Sequence, residues 1–193
     1  MEQNHALSLF RRAGAYLEGH FQLSSGLHST GYMQSALVLS HPGDAKEFGR
    51  ALAAGAKALT PTVVLSPALG GVIIGHEVAA ALGVQALFVE RGAPPDHALT
   101  LRRGFRLGPG DRVLVVEDVL TTGRSTRETM DVARAAGAEV VGVAAIADRS
   151  GGTIDLGVPH KTLITISLPA VEAAECELCK QGVPVTKPGS RPA

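Results

Sequence analysis

Two adjacent acids and a group of hydroxyl side chains lie close together in the middle of this chain. The acids are Glu117 and Asp118, and the hydroxyl side chains that follow them are Thr121, Thr122, Ser125 and Thr126. Hydroxyl groups and the backbone N–H groups of a helix start can bind a phosphate without a lysine, and Gly123 lets the backbone turn toward that phosphate. Carboxylates beside a phosphate must accept hydrogen bonds from hydroxyls or face a cation. The segment therefore predicts a site for a ribose 5-phosphate, with the acids on the ribose hydroxyls.

The residues around this segment predict the elements that position it. The apolar run 113–116 predicts a buried parallel strand, and the apolar spacing over 124–136 predicts a helix. Further buried strands are predicted, with helices between them, at 62–66, 86–90 and 140–147. This alternation indicates a single α/β domain, residues 1–193, with a largely parallel central sheet flanked by helices. In such a sheet the loops that follow the strands gather at one edge.

The composition disfavours several classes of function. The chain has 45% hydrophobic and 19% charged residues, which is enough to form a core, and its formal net charge is 0. We expect no nucleic-acid partner, because no basic surface is indicated. We also expect no membrane association and a cytoplasmic location, because no apolar stretch is long enough to span a bilayer and residues 1–5 do not resemble a signal peptide.

The stretch 113–126 resembles the signature that binds phosphoribosyl pyrophosphate (PRPP) in type I phosphoribosyltransferases. In that family apolar residues precede an acidic pair and a Thr/Gly-rich turn; the acids bind the ribose hydroxyls and the turn binds the 5-phosphate. The resemblance implies PRPP contacts from Glu117, Asp118, Thr121, Thr122, Gly123, Arg124, Ser125 and Thr126. A buried strand followed by a solvated acidic turn is the structural alternative.

A glycine pair, Gly70 and Gly71, stands between the predicted strand 62–66 and the next helix. A dinucleotide site is disfavoured, because the spacing is not G-x-G-x-x-G and no acid stands where a ribose partner is needed. In the phosphoribosyltransferases this position is a loop whose backbone N–H groups bind pyrophosphate. The resemblance thus implies that both glycines contact PRPP, and a helix start packed tightly against the sheet is the alternative.

The Gly- and Ser-punctuated stretch 19–33 predicts a hairpin or an irregular hood. It is similar to the N-terminal segment of orotate phosphoribosyltransferases, which covers the pyrimidine ring, and this implies that residues 19–40 contribute to a small N-terminal hood over the base. Ser24 and Met33 depart from that family, which often has a lysine and an aromatic residue there. The residues implied in orotate binding are Ser25, Tyr32, Met33, Thr121 and Arg149.

Arg149 follows Asp148 at the end of the predicted strand 140–147. A guanidinium at a strand end is suited to a carboxylate. In the orotate family an arginine in this Asp-Arg position contacts the pyrimidine, so the resemblance implies that Arg149 recognises orotate. A salt bridge between Asp148 and Arg149 is the structural alternative.

The Pro-rich stretch 91–98 predicts a mobile loop. In the orotate enzymes this loop closes over the reactants, often from the other subunit, and the resemblance implies a homodimer with a shared active-site loop. The usual catalytic lysine of that loop aligns with Pro95. We therefore expect the catalytic groups to be Arg91, His97, Arg102, Arg103 and Asp118. For the arginine pair, simple solvation of a surface is the alternative.

Taken over nearly the whole length, the resemblance implies transfer of the phosphoribosyl group of PRPP to orotate. The products are orotidine 5′-monophosphate and pyrophosphate, with Mg2+ on the diphosphate of PRPP and no protein side chain assigned as its ligand. Two alternatives remain. One is a phosphoribosyltransferase for another base, and the other is a PRPP-sensing regulator without turnover, for which the missing loop lysine is the supporting feature.

Cys176 and Cys179 are the only cysteines and fall in the stretch 170–181, which predicts a last helix with both thiols on one face. A zinc site needs about four ligands, and the chain has no second cysteine pair, so we expect metal binding only between two subunits. Structural or incidental thiols are favoured, and a redox pair is the remaining alternative.

Overall fold

The computed structural model describes residues 1–23, 26–92 and 97–187. The helices are α1 Gln3–Arg12, α2 Ser35–Leu39, α3 Pro42–Ala56, α4 Gly70–Leu82, α5 Arg124–Ala135 and α6 Glu177–Lys180, with a 3-10 helix at Lys57–Leu59. The strands are β1 Tyr16–Gln22, β2 His28–Met33, β3 Val63–Pro67, β4 Gln85–Arg91, β5 Leu99–Leu101, β6 Arg112–Leu120, β7 Glu139–Asp148, β8 His160–Thr165 and β9 Ala170–Val171.

The larger of two sheets has six strands in the order β5-β4-β3-β6-β7-β8. β3, β4, β6, β7 and β8 run parallel, and β5 is an antiparallel edge strand beside β4. The expected α/β fold with a largely parallel central sheet is therefore confirmed. The carboxyl ends of β3, β4, β6 and β7 meet at one edge, where the loops that follow them also meet.

The central strand β6 is buried on both faces. Val113 and Val115 pack in one apolar cluster with Met130 of α5. Leu114 and Val116 pack in a second cluster with residues of α3 and α4. Successive side chains of a strand point to opposite faces, so an unbroken apolar run is what a strand between two helix layers requires.

A smaller sheet of three antiparallel strands, in the order β1-β2-β9, combines two strands from the N-terminal part of the chain with β9 from its C-terminal part. β1 and β2 form the predicted hairpin, with Tyr16 opposite Met33 and Gln22 opposite His28. The predicted helix over 170–181 is wrong, because Ala170 and Val171 pair with β2 and only Glu177–Lys180 is helical. Backbone pairing with the hairpin satisfies the N–H and C=O groups that a helix would have paired internally.

No helix in the described part of the chain combines the length and the apolar character needed to cross a bilayer.

The close approach of α3 and α4 yields a stability prediction. A Cβ built on Gly49 of α3 would lie 2.7 Å from the backbone carbonyl carbon of Glu77 in α4. Overpacking costs typically about 1–3 kcal/mol, which outweighs the gain in helix propensity of about 1 kcal/mol. We expect Gly49→Ala to lower the free energy of unfolding in urea by about 1–2 kcal/mol.

Gly43 offers a matched control in the same helix, because a Cβ there meets nothing within 4 Å. Gly43→Ala is expected to leave the free energy of unfolding unchanged or slightly higher. Equal stabilities for the two variants would show that the helices can move apart at no cost.

Candidate active site

The acid pair lies near the carboxyl end of β6, between loops that follow the neighbouring strands. Glu117 is 5% exposed. Its Oε2 accepts a hydrogen bond from Ser125 Oγ at 3.0 Å, and its Oε1 accepts one from the backbone N–H of Asp118 at 3.1 Å. Burial, together with the nearby Asp118 carboxylate, raises the pKa of Glu117 well above its ordinary value. A ligand hydroxyl that donates a hydrogen bond to this acid pair would offset part of the cost of burying Glu117.

Asp118 is half-buried and accepts hydrogen bonds from Ser35 Oγ and from the backbone N–H of Val119, the latter at 2.9 Å. Ser35 begins α2, and nothing in the sequence pattern pointed to it. A Cβ built on Gly70 would lie 2.7 Å from Asp118 Oδ2. Only a glycine therefore lets the start of α4 approach this carboxylate.

The glycine pair lies at the start of α4, directly behind the end of β3. A Cβ on Gly71 would lie 3.0 Å from the Val116 carbonyl oxygen. The peptide bond between Ala68 and Leu69 is cis, and Leu69 is 87% exposed at the tip of this loop. Tight packing of the helix start, one of the two interpretations of the glycines, is thus present. Their contact with pyrophosphate stays a prediction.

The turn from β6 to α5 depends on Gly123, which has φ +71° and whose Cβ would lie 2.6 Å from Ile154 Cδ1. Arg127 braces the turn: it donates to the carbonyl oxygens of Thr122 at 2.7 Å and of Asp155 at 2.6 Å. Arg127 was not among the predicted residues, although its place in the first turn of α5 puts it beside the turn. These two hydrogen bonds tie the turn to the loop that contains Asp155.

The hydroxyl side chains of this turn are not equivalent. Thr121 and Thr122 are exposed, as is Arg124. Ser125 is engaged with Glu117, whereas Thr126 is fully buried and its Oγ1 has no hydrogen-bond partner among the described residues. The structure therefore brings all the predicted phosphate-binding residues to one turn, and the backbone N–H groups at the start of α5 open toward the same edge of the sheet.

Arg149 lies at the end of β7 and is 8% exposed. Its Nη2 donates to Ser29 Oγ and to the Gly31 carbonyl oxygen, both at 3.3 Å, and its buried Nε has no partner among the described residues. Burial lowers the pKa of Arg149 below its ordinary value. A buried cation without a carboxylate partner provides a binding position for an anion.

The alternative salt bridge between Asp148 and Arg149 is not formed. The Asp148 carboxylate instead accepts the backbone N–H groups of Ser150 at 2.7 Å and of Gly152 at 3.1 Å. The Asp148 carboxylate thus shapes the loop after β7, and Arg149 contacts the hairpin instead.

The hairpin residues predicted to contact orotate have different surroundings. Tyr32 is half-buried and lies near Arg149, whose pKa is lowered chiefly by burial. Met33 is 6% exposed and packs in the apolar core. Ser25 lies outside the described residues. Ser29 is the hairpin side chain that accepts a hydrogen bond from Arg149. It lies in the stretch 19–33, but no contact with orotate was predicted for it.

The lid is our name for the loop predicted to close over the reactants, together with the arginine pair that follows it. Its predicted catalytic residues lie at the ends of β4 and β5. Arg91 donates to the His97 carbonyl oxygen at 2.9 Å and pairs with Glu128 at 2.8 Å. Arg103 forms a two-point pair with Glu90 at 2.7 and 2.8 Å. Arg102 is exposed, and its guanidinium has no hydrogen bond or ion pair among the described residues. Pro95 and Asp96 lie outside the described residues.

A surface cleft of about 440 Å³ brings three of the predicted residues together. Arg91, His97 and Arg124 all line it, along with Glu128 of α5. The cleft lies beside the phosphate turn rather than over the acid pair. The lid and the turn are therefore neighbours within one chain.

Comparisons with known proteins agree with this geometry. A family model described as "Phosphoribosyl transferase domain" matches residues 45–175. The orotate phosphoribosyltransferase of Pelotomaculum thermopropionicum is 48% identical over 191 residues, which cover 99% of each chain.

Solved structures show the same likeness. A crystal structure of the orotate phosphoribosyltransferase of Aeropyrum pernix has a TM-score of 0.69 and 25% identity, covering 81% of this chain and 91% of that one. The Mycobacterium tuberculosis enzyme in complex with PRPP has a TM-score of 0.64 and 25% identity, covering 84% and 87%. Since the family model covers residues 45–175 and the Pelotomaculum relative matches 99% of each chain, the chain belongs to the phosphoribosyl transferase domain family and, within it, to the orotate phosphoribosyltransferases.

Proposed function

We propose that the protein transfers the phosphoribosyl group of PRPP to orotate, forming orotidine 5′-monophosphate and releasing pyrophosphate. The observation that carries this proposal is Arg149, a buried guanidinium with no carboxylate partner among the described residues. It follows β7, the strand that pairs with β6, and the acid pair and the turn into α5 lie at the carboxyl end of β6. An anionic planar base and a ribose phosphate are the ligands that this combination of groups recognises.

The chain's own task in this reaction is orientation. Glu117 and Asp118 accept hydrogen bonds from the ribose hydroxyls, and the turn braced by Arg127 binds the 5-phosphate with backbone N–H groups and the hydroxyls of Thr121 and Thr122. Gly70 and Gly71 expose the start of α4 to the diphosphate. Fixing both reactants in this way removes much of the entropic barrier to displacement at the anomeric carbon.

The acceptor is positioned by Arg149 and the hairpin. The guanidinium pairs with the orotate carboxylate, and Tyr32 and Ser25 contact the ring from the hood. The hood, residues 19–40, covers the base and excludes water. Met33 packs in the core and supports this surface from behind.

Mg2+ is the cofactor that fits the site. Both oxygens of Glu117 and both oxygens of Asp118 already accept hydrogen bonds from protein groups. The metal would therefore take most of its ligands from PRPP, as Mg2+ usually does at phosphate sites. When bound, it neutralises charge on the departing diphosphate.

The lid is the remaining source of positive charge for the leaving group. Arg91 and Arg103 are each held in ion pairs, which leaves Arg102 as the arginine of the three without a partner among the described residues. We assign Arg102 to the departing diphosphate, with His97 closing the loop, and the two subunits of a homodimer share the lid. A cytoplasmic location, predicted from the sequence, also stays a proposal.

The base specificity is tested directly by a panel of bases with PRPP and Mg2+. Rapid release of pyrophosphate with orotate, and with no other base of the panel, supports the proposal. Turnover of a purine and not of orotate would favour the first alternative. PRPP binding without turnover of any base would favour the regulator.

Removal of the Arg149 guanidinium should weaken the use of orotate and not that of PRPP. We expect Arg149→Ala to raise the Michaelis constant for orotate by a factor of ten or more, because a charged hydrogen bond contributes about 1.5–3 kcal/mol. The Michaelis constant for PRPP is expected to change little. Arg149→Lys should rescue poorly, since an ammonium group does not reproduce the two-point contact.

Steady-state kinetics with each substrate varied in turn measure this difference. Arg134→Ala provides the control, because Arg134 is exposed at the far end of α5 and pairs only with Asp131. Equal damage to both Michaelis constants would assign Arg149 a structural role.

The raised pKa of Glu117 predicts a dependence of stability on pH. The folded ligand-free protein keeps a proton on Glu117 that the unfolded chain has lost above the ordinary value of 4.5. The folded state therefore binds more protons in this range, so stability falls as the pH rises from 4.5 through the raised pKa. Urea unfolding of the wild type is expected to show this loss relative to Glu117→Gln, in which the group cannot titrate.

PRPP binding should show the opposite trend. Ionised Glu117 accepts the ribose hydroxyl, so the affinity for PRPP increases as the pH rises through the same raised pKa. Calorimetric titrations of both proteins separate this effect from ionisation of PRPP itself, which is common to the two. Parallel pH profiles for the wild type and Glu117→Gln would contradict the assignment.

The lid assignment predicts unequal effects of two arginine substitutions. Arg102→Ala is expected to lower the turnover number about a hundredfold or more, because one lost contact to a developing anion typically costs about 2.7–4 kcal/mol. The melting temperature should not change, since the side chain is exposed. Arg103→Ala is expected to have a smaller effect, and normal turnover by Arg102→Ala would assign the leaving-group charge to Mg2+.

A further inference from the structure

Four metal-binding side chains from distant parts of the chain meet beside the hairpin. They are His20 of β1, His28 of β2, and Cys176 and Cys179 at the start and within α6. We call them the histidine–cysteine cluster. One ligand atom from each residue lies within 4.8 Å of the corresponding atom of all the others. We propose that the histidine–cysteine cluster is a structural zinc site.

The distances between ligand atoms are close to those of a tetrahedral zinc centre. Cys176 Sγ and Cys179 Sγ lie 3.4 and 3.6 Å from His20 Nε2, and Cys179 Sγ lies 3.2 Å from His28 Nδ1. His20 Nε2 and His28 Nδ1 are 2.8 Å apart. Zinc bonds of normal length place tetrahedral ligands about 3.3–3.8 Å from one another. A separation of the two imidazoles by about half an ångström therefore completes the geometry.

The protonation of His20 is set for metal binding. Its Nδ1 lies 2.8 Å from the Val183 carbonyl oxygen, which can only accept a hydrogen bond. Nδ1 therefore carries the proton, and in the neutral ring Nε2 presents a lone pair to the cluster. A backbone carbonyl that orients the far nitrogen is the usual second partner of a zinc-bound histidine.

Hydrogen bonds within the protein cannot satisfy the four side chains of the histidine–cysteine cluster as well as a metal ion can. The single lone pair of His20 Nε2 faces three polar atoms at 2.8 to 3.6 Å: His28 Nδ1, Cys176 Sγ and Cys179 Sγ. His20, His28 and Cys176 are each no more than 5% exposed, so water has little access to them. A cation at the centre satisfies all four atoms at once, because lone pairs from every residue converge there.

The ligand set selects zinc and a closed site. Two imidazoles and two thiolates in a tetrahedron are typical of structural zinc, and the spacing of Cys176 and Cys179 is the C-x-x-C of such sites. An iron–sulfur cluster with two histidines and two cysteines binds each pair to a different iron. Here each thiol instead lies within 4.8 Å of both histidines, which fits one metal ion. Four protein ligands leave no position for a substrate or a catalytic water.

The expectation that zinc would require two subunits is thus replaced by a site within one chain. The two histidines complete the ligand set, and they were not connected with the cysteines because 148 residues separate His28 from Cys176. The pairing of β9 with β2 and the backbone hydrogen bonds of Thr186 with β1 bring these segments together.

The site would connect the C-terminal segment to the hairpin. The same two segments also share backbone hydrogen bonds, from Thr186 N to His20 O at 2.8 Å and from Gln22 N to Thr186 O at 2.9 Å. His28 directly precedes Ser29, whose Oγ accepts the hydrogen bond from Arg149. A metal ion here would join the turn end of the hairpin to the C-terminal segment.

Metal analysis of the full-length protein tests this directly. Protein produced in zinc-supplemented medium and dialysed against metal-free buffer is expected to contain one zinc per chain by mass spectrometry. Replacement of zinc by Co2+ should produce the visible bands of tetrahedral cobalt and a near-ultraviolet thiolate-to-cobalt band. Chelator treatment at raised temperature should lower the melting temperature, and added Zn2+ should restore it.

Single substitutions assign the ligands. Cys179→Ser is the first variant, because this thiol is only partly buried and the substitution changes one atom. It is expected to weaken zinc binding at least tenfold in competition with a chromophoric chelator and to remove most of the thiolate-to-cobalt band. His160→Gln is the control, since His160 is exposed and belongs to no site described here, and it should keep one zinc per chain.

Four results would overturn the proposal. These are a metal-free protein that does not bind added Zn2+ tightly, a Cys179→Ser variant with unchanged zinc affinity, iron or copper in place of zinc, and an intact mass two hydrogens lower that reveals a Cys176–Cys179 disulfide. Zinc content is independent of catalysis, so the test stands even if the protein does not turn over orotate.

Discussion

Burial of β6 on both faces is the constraint on which the rest of the structure depends. Its backbone pairs with β3 on one side and β7 on the other, and its apolar residues pack alternately into two helix layers. A shift of one residue would exchange the two faces and move its acids into the core. The acid pair is therefore placed by the core packing, at the height where the strand leaves the helix layers.

Around this strand the pocket contains groups whose burial opposes folding. The pKa of Glu117 is raised and that of Arg149 is lowered, in each case chiefly by burial. A hydrophobic residue in either place would be compatible with a more stable fold, since buried charges lose hydration. Under the proposed function a bound ligand would offset the cost of this burial, because ribose hydroxyls would donate to the acid and the orotate carboxylate would pair with the arginine.

The hairpin links this pocket to the C-terminal segment. Arg149 donates to Ser29 and Gly31 of β2, and β2 in turn pairs with β9. His28 of the histidine–cysteine cluster lies on β2, one residue before Ser29. Contacts made by the last part of the chain therefore reach the substrate pocket through two hydrogen-bonded strands.

The sequence by itself determined the fold class and predicted the position of the main site, because both inferences depend on local patterns. The apolar run before Glu117 indicated a doubly buried strand, and the hydroxyl-rich turn with Gly123 indicated a phosphate at a helix start. Arg149 was placed at a strand end by the same reasoning.

Contacts between distant segments were decided only by the tertiary structure. Ser35 reaches Asp118, Ser29 reaches Arg149, and two histidines meet two cysteines, each across more than 80 residues of chain. The stretch 170–181 has helical spacing, yet strand pairing and inward rotation of Cys176 determine its path. Local periodicity shows which face of a segment is apolar. The packing of the whole chain decides which other segment covers that face.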